Sequence, residues 1–500
     1  MIKQTRRGFL KTFLGSIAGL GITSCNRVNV SDPFDVCVVG SGFAGAVLAA
    51  ALARRGARTL LVEGGPLPAA YQRSPSKEIF NLESISESLP YPVESTHVLG
   101  DGGTSNTWAG DVPRFQPFDF DTKNSYVPRD APWPVTYNEL EKYYQKAEEE
   151  LFVHGDEPTP HSPPRTRAFP HSFGPAESMR NLKMFLGGHG YLAECYPHTQ
   201  WKGSVVNVKN THLKPFISSG KGDFLRGAWV TRVLSGPGQM ITGLEARTMD
   251  HKTITIRARY YVLACGGVET PRLLLLSRSA EFPHGIGNSS DLVGRYFMDA
   301  PMVHVGTAKL SGSQKFANLK YEEHVISWQF YRELKELGLG GALFEIDLSP
   351  AESQLHLSAI LEMKPSATNC VVLSEKYKDC FGLPAADVVI AMSNYERKTW
   401  HHIKKIGRRV FTELRVESFE LGSGDKGFWI NHHMGTCRMG DNPKTSVVDR
   451  NLKVHGIENL YITGSAPFVT AGANGPTLLL TALSLRLSDH LVEKVLRRGY

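Results

Sequence analysis

The period of the apolar positions changes along this chain, and each change predicts an element. Val36 to Val39 is a continuous apolar run of strand length. Ala46 to Arg55 is rich in Ala and Leu, which enter a helix at little cost. Thr59 to Val62 is again a short, mostly apolar run, and it ends in Glu63. Strand, helix and strand in that order make a βαβ unit. Trp133 to Phe152 contains a helix with its own start signal. Thr136 and Glu139 stand as a capping box, and Val135 and Leu140 as a hydrophobic staple. Gly227 to Ser235 and Thr253 to Ala264 read as strands, the second with alternation. Thr270-Pro271 predicts a helix start with Pro at the first helical position, continued by Leu273 to Leu276. Met302 to about Val416 mixes alternation with aromatics, as expected of a sheet with attached helices. Asn459 to Thr463 is a strand, and a long apolar helix runs from Pro476 to about Leu496.

The connecting stretches differ in character. Residues 66–98 are polar and Pro-rich, a surface excursion, and Gly155 to Phe173 is irregular and rich in Pro and His. Leu99 to Gly110, LGDGGTSNTWAG, is too Gly-rich for a helix interior or a strand. It reads as a loop whose backbone comes close to something. No internal repeat or low-complexity tract interrupts the chain.

At 500 residues the chain allows two domains or one large composite one. Its 21% charged residues are ordinary for a globular enzyme, and the net charge of +7 is scattered, so no nucleic-acid stripe is present. No run approaches the roughly 18 apolar residues needed to span a bilayer. Residues 1–25 read as a targeting segment. Thr5-Arg6-Arg7-Gly8-Phe9-Leu10-Lys11 matches the twin-arginine export pattern, and a short apolar region from Phe13 to Ile22 follows it. Ile22-Thr23-Ser24-Cys25 resembles a bacterial lipoprotein cleavage box, which makes Cys25 the lipid-carrying residue. The expectation is a folded, exported protein, periplasmic or at the cell surface, touching the membrane through that lipid alone. The other cysteines form no C-x-x-C, haem or zinc pattern. Cys37 and Cys265 sit in strand-like runs as apolar fillers, and an oxidising compartment would permit Cys370 and Cys380 to pair.

The candidate chemistry begins at the βαβ turn. Gly40, Gly42 and Gly45 spell G-x-G-x-x-G where the first strand ends. The first glycine allows the tight turn, the second lets backbone approach a pyrophosphate, and the third lets helix and strand pack closely. The helix N-terminus offers free N–H groups to the phosphates. Glu63 lies about 20 residues on, where an acid accepts ribose hydroxyls. This stretch leaves FAD and NAD both open. Near the C-terminus, NHHMGTCRMG starts at Asn431, and GSAPFVTAGANGPT runs from Gly464 into the last helix. Asn474 and Gly475 therefore stand beside the free backbone donors of a helix start.

Taken together these blocks resemble the glucose-methanol-choline (GMC) family of flavin oxidoreductases. The matching pieces are GSGFAGAVLAAAL with Glu63, GDGGTSNTWAG, AWVTRV, YVLACGGVETPRLLLLS, GNSSDLVGRYFMDAP, NHHMGTCRMG and GSAPFVTAGANGPTLLLTALSLRLSDHL. They run in the family's order from residue 35 to 491. Within the family, GGTSNTWAGDVPRF and KDCFGLPAADVVIAMSNYE resemble the bacterial sugar and sugar-acid dehydrogenases and the pyranose oxidases. The resemblance implies an α/β fold: a discontinuous Rossmann-like FAD-binding domain (34–125, 205–300 and 426–500) and a substrate domain on a mostly antiparallel sheet (126–204 and 301–425).

It also implies roles. FAD would be held by Gly40, Gly42, Phe43, Ala44, Gly45, Glu63 and Gly64. Gly103 would also bind the cofactor; Thr104 to Ala109, with Asn106, Thr107 and Trp108 between them, would line the flavin ring, and Val230 would meet the adenine. Cys265 and Gly266 would approach the phosphates or ribose, and Ser465, Gly475, Pro476 and Thr477 would complete the site. His432 falls where the family keeps its base and Asn474 where it keeps a second His or Asn. The implied reaction is oxidation of a CH–OH group of a sugar, sugar acid, glycoside or polyol, with hydride passing to flavin N5. A neutral imidazole suits the proton because its unperturbed pKa is about 6.5, and an Asn amide can donate to a developing alkoxide without titrating. The last helix would point its positive end at the flavin.

Three departures bear on this. Thr107 replaces the His of pyranose oxidases with covalent flavin, so noncovalent FAD is expected. Ala300 replaces a His common in Met-Asp-His-Pro. The cysteine cluster that holds an iron–sulfur centre in some sugar dehydrogenases is missing between Pro160 and Pro215. Electrons would then leave to a cytochrome c, a quinone or a small accessory subunit. The alternatives are an oxygen-using oxidase and a lyase of the same fold with non-redox FAD. On composition alone the adjacent His432 and His433 read as structural. The motif position selects His432 as the base, with His433 in a packing or supporting role. Asn474 can also serve as a helix N-cap. Trp328, Phe330, Tyr331, Trp400, His401, His402 and Trp429 include candidates for sugar stacking, although core packing is the stronger reading for each.

Overall fold

A computed structural model describes residues 33–65, 79–80, 82, 89–91, 93, 98–123, 126–172, 177–311, 323–349, 352–424 and 427–496. The targeting segment with Cys25 and most of the 66–98 excursion lie outside the described residues.

The βαβ unit forms as Phe34–Val39, Phe43–Arg54 and Thr59–Glu63. It nucleates a five-stranded parallel sheet, in the order Leu460–Ile462, Ala258–Leu263, Phe34–Val39, Thr59–Glu63 and Gly222–Arg226. A parallel sheet with both faces covered needs strands that are apolar throughout. Val36, Val38, Leu60, Leu61, Tyr261 and Val262 meet that need and are buried. The Thr477–Leu496 helix packs on Phe43–Arg54, and Tyr137–Glu150 packs on Thr477–Leu496. The predicted capping box is present: Glu139 N donates to Thr136 Oγ1 at 3.2 Å, and Thr136 N donates to Glu139 Oε2 at 2.8 Å. This helix comes from the stretch expected in the substrate domain. Its Leu140, Tyr144 and Ala147 nevertheless belong to the same core as the parallel sheet.

Two sequence expectations change. Thr253 to Ala264 is not one strand. Thr253–Ile256 completes a three-stranded antiparallel sheet with Ala228–Gly236 and Met240–Thr248, while Ala258–Leu263 joins the parallel sheet. The alternation read in the sequence spans a chain that changes sheets at Arg257. The helix expected to start at Thr270 starts at Gly266, and Pro271 lies inside it. An interior proline leaves the carbonyl four residues earlier without its donor. Here that carbonyl, on Gly267, accepts the buried Thr436 hydroxyl at 2.8 Å, so the proline is tolerated.

The second large element is an eight-stranded sheet, antiparallel throughout its pairings, built on Met302–Lys309, Gln354–Leu361, Ala342–Ser349 and Glu323–Ser327. Val303, Val305, Leu355, Leu357, Phe344 and Ile346 face a second core, which the Asn394–Glu413 helix closes with Trp400, Ile403 and Phe411. The opposite face of this sheet is mixed. At one end Leu343 and Ile360 join the first core.

Candidate active site

The glycine turn is shaped by what a side chain would meet. A Cβ on Gly40, whose φ is +99°, would lie 2.6 Å from the Ala264 carbonyl, and one on Gly45 would lie 1.9 Å from the Gly40 carbonyl. Both glycines are required for the packing of strand on helix. Gly42 differs: its φ is ordinary at −67°, and nothing lies within 4 Å of an added Cβ. Gly266 likewise faces open space. The Gly103 position comes within 3.3 Å of Gly42 Cα, and the Gly464 position within 3.7 Å of Ala44 Cβ. Gly40 to Ala44, Gly103, Gly266 and Gly464 thus border one cradle of bare backbone at a helix N-terminus, which suits a pyrophosphate.

We expect Gly42→Ala to leave the stability of the FAD-free protein unchanged and to weaken FAD binding about tenfold or more, because the methyl projects into the cradle. Gly45→Ala should fail to fold. Melting temperature and FAD per polypeptide read the two effects separately.

Glu63 is engaged with the protein. Its Oε2 accepts Ser41 N at 3.0 Å and Ser41 Oγ at 2.6 Å, and its Oε1 accepts Gly65 N at 2.9 Å. Ser41 Oγ in turn accepts Gly102 N at 3.1 Å. The carboxylate therefore braces the glycine turn against the Leu99 to Gly110 loop, and its remaining lone pairs are what a ribose would find. Gly64 lies against the Trp229 ring, which a Cβ would meet at 2.3 Å, and Val230 is buried on the same strand.

The 99–110 loop is held from inside. Gly103–Asn106 forms a 3₁₀ turn with Ser105 buried, while Thr104, Asn106, Thr107 and Ala109 are exposed. Asn106 Nδ2 donates to the Asp101 and Gly103 carbonyls at 3.0 and 2.7 Å. The Trp108 ring meets Phe43 edge-on at 4.4 Å, and its Nε1 donates to the Val206 carbonyl at 2.8 Å. Cys265 turns its thiol toward the Val39 carbonyl, and burial pushes that thiol up to about 12, so it stays protonated.

His432 is placed by a residue the sequence reading passed over. Asp299 is fully buried, and its Oδ1 accepts His432 N at 2.9 Å and Ala300 N at 2.7 Å. Its Oδ2 accepts Asn431 N at 3.2 Å and the Tyr91 hydroxyl at 2.6 Å. Asn431 adopts the left-handed region, at φ +67°, which Asn tolerates better than most residues. That turn, held by Asp299, sets the His432 imidazole against Gly475, with Nε2 3.5 Å from the Cβ position there. Nδ1 of His432 is buried without a partner among the described residues. Burial lowers the imidazole to about 4, so it is neutral and carries a free lone pair at ordinary pH. His433 points elsewhere: its ring packs on Tyr91 and Phe297, at 5.4 and 5.9 Å between centroids. Gly435 N, Cys437 N and Met439 N donate to the Ser465, Ala466 and Pro467 carbonyls, which ties the His432 segment to the approach of the last helix.

That helix starts at Thr477, with the Pro476 carbonyl accepting Leu480 N at 2.9 Å. Asn474 is buried just before it, but its orientation differs from expectation. Nδ2 donates to the Arg114 carbonyl at 2.8 Å, and Oδ1 is the atom left without a partner. In this orientation Asn474 presents an acceptor, not the donor expected for an alkoxide. The reason is a partner distant in sequence: the Arg114 carbonyl passes the helix start and takes the amide as its donor. Arg114 itself is fixed by Glu148, which its Nε and Nη2 reach at 2.8 and 3.0 Å.

The candidate aromatics follow the core-packing reading. Trp328, Phe330, Tyr331, Trp400 and Trp429 are all core residues, while His401 and His402 lie toward the surface of the Asn394–Glu413 helix. The six described cysteines are free, so Cys370 and Cys380 do not pair. Among the described residues no group of His, Cys, Asp and Glu is arranged to hold a metal, and no helix is long and apolar enough to cross a membrane. Ser41, Asp299 and Tyr91 are the site residues that motif reading missed. The one signal for Asp299 was a carboxylate set in the apolar run YFMDAP.

Two GMC oxidoreductase models match residues 132–302 and 365–484, and a NAD(P)-binding Rossmann-like model matches residues 38–83. The chain is 26% identical to the fructose dehydrogenase large subunit of Gluconobacter japonicus, over 92% of this chain and 97% of that protein. It is 28% identical to the 6'''-hydroxyparomomycin C oxidase of Streptomyces lividus, over 91% and 90%. In structure it resembles pyridoxine 4-oxidase from Mesorbium loti, with a TM-score of 0.64 at 18% identity, covering 91% of this chain and 99% of that one. At that identity the likeness is one of fold.

Proposed function

The chain belongs to the GMC family of FAD-dependent oxidoreductases acting on CH–OH groups, and from that premise we propose that it oxidises a hydroxyl of a sugar, glycoside or polyol with His432 as the base. The observation that carries this reading is the neutral, unpartnered imidazole of His432, held by a buried carboxylate at the start of the last helix. FAD, when bound, supplies the hydride acceptor. The protein supplies the rest. Gly40 to Ala44 and Gly103 would give backbone donors and room for the phosphates, and Glu63 would accept from the ribose hydroxyls. His432 takes the hydroxyl proton as the C–H bond is broken. Asn474 Oδ1 accepts a hydrogen bond from the substrate. It becomes a donor to the alkoxide only if the amide turns over and gives up the Arg114 carbonyl.

Sugar-type substrates are supported by the relatives' names, a fructose dehydrogenase large subunit foremost, beside a 6'''-hydroxyparomomycin C oxidase. Those names divide between dehydrogenase and oxidase. We favour a dehydrogenase passing electrons to a cytochrome or quinone, because the first of these relatives is a dehydrogenase subunit aligned over nearly its whole length. The test is anaerobic flavin bleaching by a panel of sugars, glycosides and polyols, followed by oxygen uptake with whichever compounds react. Bleaching with little oxygen uptake is the expected result. Rapid oxygen consumption would make the protein an oxidase, and no bleaching by any alcohol would sink the oxidation reading.

A further inference from the structure

The loop that carries Asn474 is tied down from one stretch of chain, residues 114–133. Trp133 Nε1 donates to Thr470 Oγ1 at 2.8 Å, and Thr470 Oγ1 donates to the Asp119 carbonyl at 3.0 Å. The backbone N–H groups of Ala471 and Gly472 both donate to the Tyr126 hydroxyl oxygen, at 2.7 and 3.1 Å. Asn474 Nδ2 ends the series on the Arg114 carbonyl. Between these ties Gly472 turns through the left-handed region, at φ +63°, and an added Cβ there would lie 2.9 Å from the Phe115 ring. The turn is therefore packed against Phe115 while Tyr126 holds its N–H groups.

Tyr126 is held in turn by two helices that pack on the antiparallel sheet. Its side chain is buried, and its ring stacks on Tyr395 of the Asn394–Glu413 helix, with centroids 6.1 Å apart and planes within 9°. Lys335 of the Gln329–Glu336 helix places Nζ 4.1 Å from the centroid of the same ring and pairs with the buried Glu362. Tyr331 of that helix donates to the Asp119 carboxylate at 2.5 Å. Ring and hydroxyl thus have separate duties. The ring is anchored by Tyr395 and Lys335, contacts that a phenylalanine would keep. The oxygen serves the 470–474 loop, where two buried backbone donors depend on it.

We propose that Tyr126 is a positioning residue for Asn474: its hydroxyl sets the backbone of the 470–474 loop and, through it, the place of the Asn474 amide relative to His432. The proposal rests on the oxidation reading above, in which Asn474 Oδ1 meets the substrate hydroxyl. Asn474 stands two residues beyond Gly472, and the next residue, Gly475, lies against the His432 ring, whose Nε2 is 3.5 Å from the Cβ position there. The imidazole is held from a different segment, by Asp299. A shift of the turn at Gly472 therefore moves the amide while the imidazole stays, and a misplacement of about 1 Å between groups that act together lowers a rate by about 10²-fold. Motif reading had no access to this residue, because the loop it serves lies 345 residues further along the chain.

The experiment removes one oxygen. Tyr126→Phe, Asn474→Ala and the double variant are compared with the wild type as FAD-loaded enzymes, by anaerobic flavin reduction with an alcohol substrate. Tyr126→Phe is expected to keep its FAD, to lower the limiting reduction rate about tenfold or more, and to leave KM within about twofold. The double variant should reduce no more slowly than Asn474→Ala alone, because a residue that acts through Asn474 then has nothing left to act on. Losses that multiply in the double variant would make Tyr126 a support of the fold alone and overturn the proposal, as would a Tyr126→Phe rate equal to that of the wild type. Amide exchange on the oxidised enzyme without substrate is read alongside. Faster exchange at Ala471 and Gly472 is expected in Tyr126→Phe, and unchanged exchange would overturn the proposal. That readout needs no turnover, so it stays separate from a failure of the oxidation reading, which would show as a wild-type flavin that no alcohol bleaches. Should Tyr126→Phe fail to fold, Thr470→Val, which cuts the ties of the same loop to Trp133 and Asp119, enters the same cycle with the same expected and overturning results.

Discussion

His432→Ala is expected to purify with its FAD and to reduce that flavin with an alcohol substrate about 10² to 10⁴ times more slowly than the wild type, the usual worth of a positioned acid or base. FAD occupancy should not change, because the cradle is built from Gly40 to Ala44, Gly103, Gly266 and Gly464 and the imidazole takes no part in it. Stopped-flow reduction of the anaerobic enzyme measures the effect, and unchanged kinetics would remove His432 from the chemistry. The same residue predicts a pH profile. Burial lowers its imidazole from the ordinary value to about 4. The base is then lost only as pH falls toward 4, and kcat/KM should hold through pH 6.5, where an exposed histidine would already be half protonated. The sign for stability agrees. The unfolded chain binds this proton more readily than the folded one, so His432 costs the fold stability as pH drops from about 6.5 toward 4.

Asp299→Asn is expected to lower kcat by about tenfold or more and to destabilise the fold by about 1–3 kcal/mol, with FAD occupancy retained. The exchange keeps the shape of the side chain but turns one acceptor into a donor. Asp299 accepts four bonds, from His432 N, Asn431 N, Ala300 N and the Tyr91 hydroxyl. An amide cannot accept all four, so one buried donor is left facing another. The turn at Asn431, already left-handed, then loses part of what holds it, and the imidazole moves. Asp299 acts through His432 and is a positioning residue. The reading therefore needs kcat to fall while KM stays level, and Tyr91→Phe, which removes a bond that does not reach the His432 segment, to lose stability while keeping kcat. If both variants lose kcat and KM together in proportion to stability, Asp299 serves the fold alone.

Much of the site was legible before any coordinates. The turn, helix and acid of the βαβ unit are local, so the spacing of Gly40, Gly42, Gly45 and Glu63 carries them directly. The capping box at Thr136 and Glu139 is local too, and it stands as read. Errors appear where a long-range partner decides. Pro271 looked like a helix start because its missing N–H costs nothing there. It lies inside the helix because Thr436, far along the chain, supplies a donor to the Gly267 carbonyl. Thr253 to Ala264 looked like one strand because alternation does not record which sheet each half joins. Asn474 looked like a donor to substrate because nothing in its neighbourhood in sequence announces the Arg114 carbonyl.

The sequence by itself determined the βαβ unit with its G-x-G-x-x-G turn, placed His432 and Asn474 in the last two of the motif blocks that run from residue 35 to 491, and carried the resemblance to the GMC family. Those properties reside in residue spacing, and spacing survives without coordinates. Tertiary structure alone decided how His432 is held and which strands stand side by side. Asp299 reaches Asn431 and His432 across more than a hundred residues. The cross-strand rows of the antiparallel sheet exist only because Met302–Lys309, Gln354–Leu361, Ala342–Ser349 and Glu323–Ser327 pair in turn, across a register shift between His304 and Gly306. A buried carboxylate and a cross-strand row are both made by contacts between distant segments, and a linear pattern has no term for distance in space.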